Sequence, residues 1–64
     1  MKHLLPDDTI VWQSAGWALV VDSSLCIVLV TLTGRTTITD ARTMSEALNQ
    51  AVHVRDHLEK ASQS

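Results

Sequence analysis

With 64 residues, a single cysteine and a formal charge of −2, the chain has room for one small domain and cannot form an internal disulfide. Its 5 basic and 7 acidic residues are scattered, which excludes a polybasic patch, an acidic tail and a dense DNA-mimicking surface. A chain this short buries only about 60% of its unfolded surface, and such chains often need a metal or a partner.

Residues 1–8, MKHLLPDD, read as a lead-in punctuated by Pro6, and 9–62 as one domain. The lead-in turns acidic before any apolar core long enough for a signal peptide. Together with the lack of cysteine pairs, this points to a cytoplasmic protein. Asp7 and Asp8 read as solvated carboxylates on a mobile segment.

Three strand-like runs follow, Thr9–Ser14, Trp17–Asp22 and Leu25–Thr33, and then a weaker one, Thr36–Asp40. They are separated by Ala15-Gly16, Ser23-Ser24 and Gly34-Arg35, and two residues is the commonest hairpin connection. Ile10 to Leu32 carries only Asp22 as a charge and is long enough to span a bilayer. However, Asp22-Ser23-Ser24 is good turn chemistry placed mid-window, which argues against a membrane span.

The segment after Arg42 predicts a helix over Thr43–Ser62. Thr43-Met44-Ser45-Glu46 fits a capping box, in which Thr43 caps a free N–H and Glu46 reaches back. Met44, Ala47, Leu48, Ala51, Val54, Leu58 and Ala61 gather on one side, opposite Glu46, Asn49, His53, Asp56, His57 and Lys60. At about 27 Å the helix is long enough to cross a small sheet. The expected fold is therefore α+β: a four-stranded antiparallel β-meander with one C-terminal α-helix packed on one face.

The run Leu25–Leu32, LCIVLVTL, is apolar at nearly every position. Alternate side chains on a strand point to opposite faces, so this strand has no wet side. With the turns above, face one holds Ile10, Trp12, Trp17, Leu19, Val21, Cys26, Val28, Val30 and Leu32. Face two holds Val11, Ala18, Val20, Leu25, Ile27, Leu29 and Ile38. One helix covers one face, so the other needs a second cover. Tryptophan is enriched at interfaces, which places the partner on face one and the helix on face two. The expected partner-binding residues are Trp12, Trp17, Leu19, Val28, Val30, Leu32 and Arg55. The expected partners are a second copy of the chain and a larger protein.

Arg55 interrupts the apolar stripe of the helix. It can snorkel past the sheet edge and pair with Glu59, or it can contact a partner. Thr36–Thr39, TTIT, reads as an uncharged edge strand, open to strand addition unless the following chain shields it.

No chemistry emerges from the remaining residues. His53 and His57 share a helical face, but no motif supplies the further ligands a zinc site needs. No serine, histidine and acid cluster is suggested by spacing, and the two glycines form no phosphate loop. Cys26 reads as a small buried hydrophobe. No catalytic residue, metal or cofactor is expected. Trp12 and Trp17 could stack on bases, but their surroundings are aliphatic rather than basic.

Thr43-Met44-Ser45-Glu46-Ala47-Leu48-Asn49-Gln50-Ala51 has the form T-x-x-E-A-L-x-x-A. It resembles the strand-to-helix junction in the small domain of HicB-type antitoxins, without the glycine- and proline-rich segment that precedes it there. In size the chain is also similar to the small proteins with which phages block host machinery. The function expected is non-catalytic protein binding, as a homodimeric inhibitor, antitoxin-like protein or adaptor. The alternatives are a single-stranded nucleic-acid module and a small membrane protein inserted through residues 10–32.

Overall fold

The computed structural model describes residues 3–62. Four strands, β1 (Thr9–Ser14), β2 (Trp17–Val21), β3 (Cys26–Thr31) and β4 (Gly34–Asp40), form one antiparallel sheet in the order β1-β2-β3-β4. One helix, α1 (Met44–Ser62), follows and packs on it. The fold is the expected α+β meander with a C-terminal helix. Residues 10–32, the alternative membrane span, form β1 to β3 and their turns. No described helix is long and apolar enough to cross a membrane.

The turns decide which side chains share a face. Ser14 pairs with Trp17 across Ala15-Gly16, and Gly16 takes φ 88°, the positive angle this hairpin needs. The β2–β3 connection is one residue longer than expected. The Asp22 N–H donates to the Cys26 carbonyl at 3.0 Å and the Leu25 N–H to the Asp22 carbonyl at 3.1 Å. The loop is therefore Ser23, Ser24 and Leu25, with Leu25 in the left-handed region at φ 62°. The Asp22 carboxylate fixes it by accepting the Ser24 and Cys26 N–H groups, each at 2.9 Å.

One extra residue moves a whole strand's side chains to the other face. Val21 pairs with Ile27 and Leu19 with Leu29, so Trp17, Leu19 and Val21 share a face with Ile27 and Leu29. The expected face memberships are corrected accordingly. Trp12, Trp17, Leu19 and Val21 join face two, and Ala18 and Val20 join face one. The β3–β4 turn is Leu32-Thr33 rather than Gly34-Arg35, with Thr31 opposite Gly34. A displacement of two residues keeps Thr36 on face two, opposite Leu29, but the register then shifts at Ile38, so that Thr39 lies opposite Ile27 and Ile38, expected on face two, is 41% exposed.

The helix covers the face of Leu19, Val21 and Ile27, which with Ala47 and Ala51 are fully buried. Val11, Trp12, Trp17, Leu25, Ala41 and Val54 pack around them. Two small residues at the contact let the helix approach the sheet closely. Thr43 precedes the helix as its cap, accepting the Glu46 N–H on Oγ1 at 3.1 Å. The reciprocal half of the capping box does not form. Glu46 instead accepts the Gln50 side-chain amide at 3.1 Å.

Candidate interaction surface

The second face of the sheet is apolar, as expected, but the chain supplies its own cover. Ala18, Val20 and Val30 are 0% exposed and Val28 2%, with Leu4 and Cys26 packed against them. Residues 3–8 run over this face as a strap. Pro6 sits in a turn in which the Asp8 N–H donates to the Leu5 carbonyl at 3.1 Å. The Leu5 N–H donates in return to Asp8 Oδ2 at 2.8 Å.

Arg35 secures the strap. Its guanidinium donates Nη1 to Asp8 Oδ2 at 2.6 Å and Nη2 to Asp8 Oδ1 at 3.1 Å, a two-pronged ion pair. Nη1 also reaches the His3 carbonyl at 2.8 Å. Asp8 leads directly into β1, and Arg35 lies in β4, at the opposite edge of the sheet. The pair therefore ties the two edges together across β2 and β3. The Asp8 side chain is only 2% exposed, so the lead-in carboxylate expected to be solvated is a buried anchor. The hydrogen bonds from Arg35 above all, and that from the Leu5 N–H, hold its carboxyl below the usual value against the opposing effect of burial. A proline turn beside an acid, with three arginines further along the chain, was the available signal. Sequence spacing does not say which arginine folds back.

The seven expected partner residues fall in four places. Leu19 is wholly covered by the helix, with Trp12 and Trp17 beside it. Val28 and Val30 lie under the strap. Leu32 is a turn residue, 72% exposed. Arg55 pairs with Asp56 rather than with Glu59. Its guanidinium lies 5.0 Å from the centre of the Trp12 ring and donates to Asp56 Oδ1 at 3.0 Å. The indole Nε1 of Trp12 is enclosed and finds no acceptor among the described residues.

The apolar surface that remains accessible is chemically quiet. Met44, Leu48 and Val52 are 42, 40 and 38% exposed and follow one another at four-residue steps along α1. Leu5 and Ile10 are exposed on the strapped side. At the C-terminal end of α1 an open cleft of about 410 Å³ is lined by Gly16, Trp17, Leu29, Thr31, Leu58 and Ala61. None of these side chains titrates. His53 and His57 are exposed, and no group of three metal-ligating side chains occurs among the described residues. Desolvation first, then the Asp22 and Asp40 carboxylates, push the Cys26 thiol above its ordinary value, which disfavours a reactive thiolate.

Both edge strands are bulged. Val11 is the extra residue in β1, between the pairs Ile10–Val20 and Trp12–Leu19. Ile38 is the extra residue in β4, between Val28–Thr37 and Ile27–Thr39. Bulges twist an edge away from straight pairing, so β4 is a poorer template for strand addition than its uncharged run suggests. Compared with family models, curated proteins and solved structures, the chain matches none of them.

Proposed function

We propose that this chain is a non-catalytic protein-binding module, homodimeric, that acts on a larger protein as an inhibitor, antitoxin-like protein or adaptor. The observation that carries the reading is the row Met44, Leu48, Val52 along α1, each about two-fifths exposed. Anchors at i, i+4 and i+8 on one helix match the way an amphipathic helix docks into a groove. Arg55, on the same side of the helix and stacked on Trp12, adds a residue type that is enriched at binding hot spots.

The nucleic-acid alternative has less support. Both tryptophans lie on the helix-covered face, and Arg55 caps Trp12, so neither offers the open stacking platform that single-strand binders use.

The test is a pair of affinity purifications from the native host, with the natural chain and with Leu48→Asp. Leu48 is exposed, so the variant should keep its helical circular dichroism while losing the co-purifying protein. Equal recovery with both chains would remove the helix flank as the binding surface.

A further inference from the structure

The outward face of α1 carries two imidazoles with no partner. His53 and His57 are both exposed, and neither side chain makes a hydrogen bond or ion pair among the described residues. They stand one turn apart within the unbroken helix Met44–Ser62, a spacing that puts their Cβ atoms about 5–6 Å apart on one face. A divalent cation takes imidazole nitrogens at about 2.0–2.1 Å, so two neighbouring ligands sit about 3 Å from each other. Two histidines at i and i+4 reach that separation by leaning together over the turn between them.

The backbone beneath the pair is already fixed. Ala47 and Ala51 are fully buried against the sheet, and Val54 packs beside them. The turn from His53 to His57 is therefore held helical before any cation arrives. Binding orders two side chains and breaks no existing contact.

The neighbours select the cation. Glu46 is engaged by the Gln50 amide at 3.1 Å and Asp56 by Arg55 at 3.0 Å, so the donors on offer are the two ring nitrogens. Imidazole suits nickel, copper and zinc, whereas magnesium, calcium and manganese prefer carboxylate and carbonyl oxygen.

We propose that His53 and His57 form a two-point site for a divalent cation of the nickel, copper and zinc class. No group of three ligating side chains gathers among the described residues. The site is thus unlike a closed structural zinc centre: its other coordination positions face solvent and accept water or a donor from another molecule.

The probe is Ni²⁺ alone, added to the full chain carrying His3→Gln. That substitution removes the third imidazole and keeps the backbone carbonyl that Arg35 uses. Paramagnetic Ni²⁺ should broaden the ring-proton signals of His53 and His57 together, and Mg²⁺ should change neither. A second chain adds His57→Gln and Lys60→His, which keeps the number of histidines but sets the pair about 10 Å apart along the helix. Both positions are exposed, so its circular dichroism without metal should be unchanged. Its affinity for Ni²⁺ should fall at least about tenfold, because the second ligand no longer binds intramolecularly. Ni²⁺ should also raise the thermal midpoint more with the natural spacing, where it holds the folded helix. Equal affinity at the two spacings would mean that each histidine binds alone and would overturn the site. So would the absence of broadening at about 1 mM Ni²⁺, the weak end of specific binding.

Discussion

At the scale of single residues, Leu25 and Asp8 do the most to set the fold. Leu25 occupies the left-handed region at φ 62°, which costs a non-glycine residue about 1–2 kcal/mol. Its side chain offsets this by packing against the helix-side core. Leu25→Gly should therefore destabilise less than Leu25→Ala, by about 1 kcal/mol, although it removes one more carbon. Denaturant midpoints of the two variants decide the order. Asp8 has a carboxyl held below its ordinary 3.8 by Arg35. Its contribution to stability is thus fully present above that value and is lost as pH falls through the lower folded value. Asp8→Asn should cost about 2 kcal/mol at pH 7, between an exposed and a buried pair, and should flatten the dependence of stability on pH below 3.8. Urea melts across that range measure both effects. Thr43→Ala removes the bond from the Glu46 N–H and should cost about 1 kcal/mol; an unchanged midpoint would mean that the cap contributes nothing.

At the scale of elements, the sheet divides two cores between its faces. Ile27 and Val28 are adjacent, buried to 0 and 2%, and belong to different cores. An unpaired charge in either costs several kcal/mol, but the consequences differ. Ile27→Asp strikes between sheet and helix and should abolish the helical signal together with the native emission of Trp12 and Trp17, which lie on that side. Val28→Asp strikes beneath the strap and should free residues 3–8 while the helix stays docked. Circular dichroism and tryptophan emission distinguish the two; identical loss in both variants would mean that the cores fold as a single unit.

At the scale of the whole molecule, 64 residues are divided between two thin cores, and little stability is left to either. The proposed pairing of two copies would add stability by mass action. The thermal midpoint should rise as protein concentration is raised from about 1 to 100 μM, by several degrees if folding and pairing are coupled. A midpoint independent of concentration would detach stability from assembly.

The meander, its strand order and the helix were legible in residues 9–62 because periodicity, turn residues and the Thr43 cap all pointed the same way. The apolar run at Leu25–Leu32 also announced that both faces would be buried. What tertiary structure alone decided was the pairing of faces and the identity of the second cover. A leucine in the left-handed position lengthened one turn by a residue, because packing of its partly buried side chain outweighed local backbone preference, and that moved Trp17, Leu19 and Val21 beneath the helix. Arg35 and Asp8 lie 27 positions apart, and local pattern carries no information across that distance. Only once the sheet places β1 and β4 at opposite edges can the arginine reach back over the open face and hold the strap down.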